Sequence, residues 1–94
     1  MKIVLNRDYG GFQLSEKAYE FLGLEWDGYG YAYSEYDQRT DPKLVECVET
    51  LGSEAASGPF AKLEVVEIPD WLTRYDIDDY DGIETVEEIH HRWP

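Results

Sequence analysis

The apolar positions fall into short runs of differing period, which predict strands alternating with helices. Residues 2–6 hold the continuous run Ile3-Val4-Leu5, typical of a strand that is covered on both faces. Residues 60–68 and 71–77 are rich in β-favouring side chains and are predicted to be two further strands. Because only Pro69-Asp70 and its neighbours separate them, we expect these two strands to form a hairpin.

Two helices are predicted from their end signals. Ser15 is an N-cap candidate for a helix over 16–22, with Ala18, Phe21 and Leu22 on one face and a glycine directly after it. A second helix over 42–51 has its own N-cap, a proline at its first position, an apolar stripe and a terminating glycine. Its cap, stripe and end are Asp41, Leu44, Val48, Leu51 and Gly52. Cys47 lies beside the stripe, so we expect a small core residue rather than a reactive thiol.

The segment over 28–34 alternates tyrosines with small residues. Tyr29, Tyr31 and Tyr33 recur with a period of two, which predicts a strand that has one tyrosine face and one small-residue face. Residues 53–59 are small and polar and are predicted to be a loop.

The stretch "RYDIDDYDGIETVEEIHHRW" over 74–93 is the most acidic part of the chain. A calcium loop with Gly82 at its sixth position would place Ile77 at the first ligand position, where a side-chain oxygen is needed, so the pattern fails. A hairpin would put Val86 on the same face as Glu84 and Glu88. The apolar residues recur at three or four instead, which favours a helix over 82–92 whose start is closed by an Asp81/Glu84 capping box.

These elements predict one α+β domain over residues 1–94. The predicted order is β-α-β-α-β-β-α, and the small sheet is expected to carry its helices mainly on one face.

A net charge of −13, from 21 acidic and eight basic residues, changes the functional picture. Such a chain is repelled by nucleic acid and by anionic membranes, and it is attracted to basic surfaces. Solubility alone, or a halophilic origin, would also account for an acidic excess. The single cysteine excludes an intrachain disulfide and weakly favours an intracellular protein, and the short apolar start does not read as a signal peptide or membrane span.

Other candidate sites are weakly marked. Arg7 and the Gly10-Gly11 turn could meet an anion, with the tyrosine strand as a stacking pocket, yet no phosphate-loop pattern is present. His90 and His91 are adjacent and would point to different helix faces. We therefore expect no enzyme activity, no cofactor and no metal site.

Three segments together carry a resemblance: "KIVLNRDYGGFQLSEKAYEFLG", "RTDPKLVECVETLG" and "VVEIPD…YDGIETVEE". The chain resembles a family of small uncharacterised proteins encoded in bacteriophage and prophage genomes. Members commonly carry a cysteine where this chain has Asp8. The resemblance implies the bacterial host cytoplasm and a role in phage–host conflict, and it brings no site residues.

The leading functional hypothesis is a non-enzymatic inhibitor that imitates nucleic acid and docks onto a basic, nucleic-acid-binding groove of a host defence or nucleic-acid-processing protein. The carboxylates expected to bind are Asp76, Asp78, Asp79, Glu84, Glu87 and Glu88, with Tyr75 or Tyr80 as aromatic anchors. The alternatives are a protein that sequesters a nucleotide through the Arg7/Gly10-Gly11 loop and the tyrosine strand, and a structural or assembly protein whose charge confers only solubility.

Overall fold

Strand β1 (Lys2–Asn6) lies at the centre of the molecule. The structure is a computed structural model, described for residues 1–72, 74–88 and 91–93. β1 pairs antiparallel with β2 (Leu63–Glu67), and Val4 lies opposite Val65. The side chains of β1 alternate between two apolar clusters: Val4 joins one, whereas Ile3 and Leu5 join the other. The predicted strand with both faces covered is confirmed.

Three helices cover the Val4 side of the β1–β2 sheet. They are α1 (Glu16–Leu22), α2 (Pro42–Leu51) and the single turn α3 (Ser53–Ala56). Leu44 and Val48 of α2 pack into the same cluster as Val4. Because α3 occupies residues 53–56, the prediction of a loop over 53–59 was wrong for its first four residues.

Both predicted helix starts are confirmed. The Ser15 hydroxyl accepts a hydrogen bond from the Ala18 N–H at 3.0 Å, and the Asp41 carboxylate accepts one from the Lys43 N–H at 2.8 Å. The predicted face of α1 needs one correction, because Phe21 is 39% exposed and Tyr19 is buried in its place. Cys47 is buried among the helices, as expected.

A second antiparallel sheet covers the other side of β1. It contains β3 (Asp76–Tyr80), β4 (Ile83–Glu88) and β5 (His91–Trp93), in the order β3-β4-β5. The predicted helix over 82–92 was wrong for the described part of that range, which forms a turn and the strands β4 and β5; residues 89 and 90 lie outside the described residues. Asp81 and Gly82, with φ of 53° and 96°, instead form a two-residue turn that joins β3 to β4. Positive φ at both central residues is the geometry of the type I′ turn, which matches strand twist and favours Asp-Gly.

The predicted hairpin and the predicted tyrosine strand also differ from the structure. Residues 60–68 do not form a hairpin with 71–77, because β2 pairs with β1 and the strand after it begins only at Asp76. The predicted tyrosine strand over 28–34 is a loop with positive φ at Gly28, Gly30 and Tyr33. Its conformation is set by the Asp27 carboxylate, which accepts hydrogen bonds of 2.7 Å from the N–H groups of residues 29 and 30.

The architecture is a helical layer, a two-stranded sheet and a three-stranded sheet, stacked in that order. Val86 of β4 packs with Ile3 and Leu5 on the face of β1 opposite the helices. The α+β class is confirmed, and so is the placement of the helices on one face of the β1–β2 sheet. Within the described ranges, no helix is long and apolar enough to cross a bilayer.

Candidate functional site

A buried ion pair links the acidic hairpin, which we define as residues 75–88, to the rest of the fold. Arg39 donates to the two carboxylate oxygens of Glu84 at 2.5 and 2.7 Å, and both residues are 1% exposed. A two-pronged arginine–carboxylate contact fixes orientation as well as distance. Since Glu84 lies on β4 and Arg39 precedes α2, the pair sets where the hairpin sits.

The remaining polar atoms of this pair are also satisfied. Arg39 donates to the carbonyl of Ser34 at 2.8 Å and to that of Tyr33 at 3.1 Å, and its guanidinium carbon lies 3.8 Å from the centre of the Phe12 ring. Glu84 Oε1 accepts a further bond from the Asn6 N–H at 2.7 Å. Buried charges are tolerated when every lone pair and proton is used in this way.

Hydrogen bonds from the end of β1 and the residue after it fix the position of the turn in the acidic hairpin. The Asn6 side chain donates to the carbonyl of Gly82 at 2.6 Å and accepts from the Lys62 N–H at 2.9 Å. Arg7 donates to the carbonyl of Glu84 at 2.6 Å. A Cβ atom at Gly82 would lie 2.5 Å from the carbonyl oxygen of Tyr9, so the close approach requires glycine.

Two of the predicted carboxylates and one tyrosine project from the outer face of β3. Asp76, Asp78 and Tyr80 alternate along the strand and are exposed, with Tyr80 71% exposed. Their cross-strand neighbours on β4 are Glu87, Thr85 and Ile83, respectively. Asp79 is also exposed but points to the other face, and its carboxylate accepts from the Gly82 N–H at 2.7 Å.

The other predicted residues are placed differently. Glu84 is buried, so its prediction as a surface contact was wrong. Glu87 and Glu88 are half-buried, with Glu87 paired to Arg92 and Glu88 within 3.5 Å of the His91 ring nitrogen. Tyr75 is half-buried and packs against the Val86 cluster.

Two open grooves flank Tyr36 beside the acidic hairpin. One, of about 550 Å³, is lined by Tyr36, Asp37, Tyr75, Asp76 and Ile77. The other, of about 340 Å³, shares Tyr36 and is lined on its far side by residues that include Tyr31, Glu35 and Asp79. Partial burial raises the pKa of the Tyr36 hydroxyl, and the negative charges of Asp79 and Glu84 raise it further. Carboxylates and aromatic rings therefore line the surface next to β3.

The anion pocket predicted from Arg7, the Gly10-Gly11 turn and the tyrosine strand is not formed in the structure. Arg7 is occupied by the Glu84 carbonyl, and the Gly10-Gly11 turn packs against Phe60 and the hairpin turn. Residues 28–34 form a loop rather than the predicted tyrosine strand. Within this loop the rings of Tyr29 and Tyr31 stack, with 5.9 Å between their centres. His90 lies outside the described residues. Within the described ranges, no three metal-ligating side chains converge.

Sequence reasoning missed Arg39 and Asn6, which hold the acidic hairpin in place. A polar residue directly after the apolar run Ile3-Val4-Leu5, as Asn6 is, was the available signal for a buried hydrogen-bonding role. Arg39 had no local signal, because its partner is 45 residues away.

Comparison with known proteins gives no relative: no family model, curated protein or solved structure matches this chain.

Proposed function

We propose that this chain is a non-enzymatic, phage-type inhibitor that imitates nucleic acid and docks its acidic hairpin onto a basic groove of a host nucleic-acid-binding protein. The observation that carries the proposal is the exposed pair Asp76 and Asp78 on β3, next to the grooves that flank Tyr36. The sequence had placed Asp76 and Asp78 at the end of a strand and in the turn after it, and both lie on β3.

The spacing of these carboxylates suits the task. Alternate residues of a strand lie about 6.8 Å apart. Successive phosphates on one DNA strand have a comparable separation, since an axial rise of about 3.4 Å combines with the lateral turn of the helix. A groove whose lysines and arginines are spaced for phosphates therefore fits the outer face of β3.

The hydrogen bonds that attach the acidic hairpin to the rest of the fold also support a role in binding. Arg39, Asn6 and Arg7 hold β4 and the turn through buried or half-buried hydrogen bonds. A pre-ordered binding surface loses less conformational entropy on association than a mobile one. Tyr36 and Tyr80 add exposed rings on which arginine guanidinium groups can stack.

The experiment begins with capture of partners from a bacterial host lysate on the immobilised protein at low and at high salt. Recovery of a basic nucleic-acid-binding protein at low salt only is expected, because screening weakens attraction between surface charges. The affinity of the recovered protein is then measured directly, with competition by its own nucleic acid. Competition should be mutual if the two ligands share a groove.

Charge reversal identifies the surface. Asp76→Lys with Asp78→Lys should weaken binding at least about tenfold. The matched control is Glu20→Lys with Glu46→Lys, two exposed positions on α1 and α2 with the same change in net charge. An equal loss in both double variants would show that net charge alone is responsible and would refute the proposed surface. Asp79 is left unchanged because its carboxylate also holds the turn.

A further inference from the structure

The outer edge of β3 has no strand beside it among the described residues. The second sheet has the order β3-β4-β5, and β3 is paired with β4 alone. An open strand edge presents a row of unused backbone donors and acceptors, which is a template for another extended chain.

The turn fixes which backbone groups face this edge. Tyr80 and Ile83 flank the two-residue turn and are opposite each other, so they form a hydrogen-bonded pair. Hydrogen-bonded and non-hydrogen-bonded pairs alternate along an antiparallel ladder. The N–H and C=O groups of Ile77 and Asp79 therefore point away from β4 and toward the open edge.

The charges beside the edge select the occupant. A second copy of this chain would place its own Asp76 and Asp78 against those of the first, and like charges on adjacent strands are destabilising. A basic segment would instead place an arginine or lysine beside each of these carboxylates. On the other face, every second side chain of such a segment would enter the groove of about 550 Å³ and lie against Tyr36.

We propose that the free edge of β3 accepts an extended basic segment of the partner protein as an additional strand. This inference rests on the proposed function, and it adds the mode of binding: backbone pairing supplies much of the affinity, while Asp76 and Asp78 supply selectivity for basic side chains.

The test uses backbone methylation, which removes an N–H without changing charge or side chain. The single cysteine allows a synthetic segment 47–94 to be ligated at Cys47 to residues 1–46. One product carries N-methyl-Ile77, at the free edge of β3. Its control carries N-methyl-Arg92: Arg92 lies opposite Glu87 on β5, and the same alternation directs its N–H to the far edge of the sheet.

The probe is a nine-residue peptide that alternates arginine and threonine. At low salt, N-methyl-Ile77 should weaken its binding at least about tenfold, and N-methyl-Arg92 should leave it within about twofold. A peptide N-methylated at alternate residues should bind the unmodified protein equally poorly. Amide hydrogen exchange at Ile77 and Asp79 should slow when the unmodified peptide binds, a readout that does not depend on the folding of any variant.

The outcomes separate the two proposals. If N-methyl-Ile77 has no effect and exchange at both amides is unchanged, while Asp76→Lys with Asp78→Lys abolishes binding, edge pairing is wrong and the acidic surface stands. If the charge reversal has no effect either, both proposals fail.

Discussion

Arg39 and Glu84 lie 45 residues apart in the chain, and they meet through two hydrogen bonds of 2.5 and 2.7 Å in the interior. Neither side chain is more than 2% exposed. In a protein with 21 acidic residues, one carboxylate is thus withdrawn from the surface and used to attach the second sheet to the first. The acidic character of the chain is therefore not solely a surface property.

Glu84→Gln is expected to destabilise the protein by about 3–5 kcal/mol, because it leaves the Arg39 charge buried without its counter-charge. The loss is a large share of the stability of about 5–15 kcal/mol usual for a small domain. Urea unfolding monitored by tryptophan fluorescence measures the change in the free energy of unfolding.

Glu87→Gln is the matched control on the same strand. Its arginine partner, Arg92, is 65% exposed, and such surface pairs contribute about 0–1 kcal/mol. Equal effects of the two substitutions would show that the Arg39–Glu84 pair does not anchor the acidic hairpin.

The elements predicted correctly are those whose signals are local. Ser15 and Asp41 accept the hydrogen bonds that their positions before apolar stripes predicted, and both helices end at the expected glycines. The continuous apolar run of β1 also sufficed, since only a strand with two covered faces tolerates it.

The error over 82–92 has a physical origin. The hairpin interpretation required Glu84 to share the inward face with Val86, and a carboxylate is rarely buried without a partner. The partner is Arg39, which no local pattern identifies. The Asp81-Gly82 pair was nevertheless a strong short-range hairpin signal, and the structure follows it.

The same non-local dependence limits prediction of the site. Asp76, Asp78 and Tyr80 are exposed, as a binding role requires, and the structure shows that they share one face because they alternate along β3. Their neighbours Tyr36 and Asp37 come from a different part of the chain, and only the tertiary fold brings them beside β3.

Gly82→Ala should be strongly destabilising. The residue has φ of 96°, and a Cβ atom there would lie 2.5 Å from both the Gly11 nitrogen and the Tyr9 carbonyl oxygen. Strain and collision together are expected to cost more than about 2 kcal/mol.

Gly28→Ala separates the two causes. Gly28 has a similar φ of 86° but open space around its missing side chain, so only backbone strain of about 1 kcal/mol applies. Thermal unfolding should give a clearly lower Tm for the Gly82 variant than for the Gly28 variant. The reverse order would contradict the close packing of the turn against residues 9–11.

Asp27 should contribute stability that depends on pH. Hydrogen bonds from the N–H groups of Gly30 and Tyr29 lower the pKa of this carboxyl to about 2, from an ordinary value of 3.8. Because the folded-state pKa is depressed, the stabilisation is fully present above about pH 4 and is lost as the pH falls through about 2. The Tm of Asp27→Asn should lie below that of the unmodified protein at pH 7, and the gap should narrow between pH 4 and pH 2.

Asp37→Asn is the control, since Asp37 is exposed and its carboxylate accepts no hydrogen bond from any described residue. The difference in Tm between Asp37→Asn and the unmodified protein should not become smaller between pH 4 and pH 2. A gap for Asp27→Asn that stays constant down to pH 2 would contradict the role assigned to this loop.

Cys47 should resist thiol reagents in the folded protein. Burial raises the pKa of its thiol to about 11, and the side chain is 0% exposed within the helical cluster. The reactive thiolate is therefore scarce at pH 8 and inaccessible. Labelling by an aromatic disulfide reagent, followed by the absorbance of the thiolate that it releases, should be slow without denaturant. The labelling rate should increase in parallel with unfolding as urea is added. Rapid labelling in the absence of urea, with the circular dichroism spectrum unchanged, would contradict the placement of Cys47 in the core. It would also contradict the prediction that Cys47 is a core residue rather than a reactive thiol.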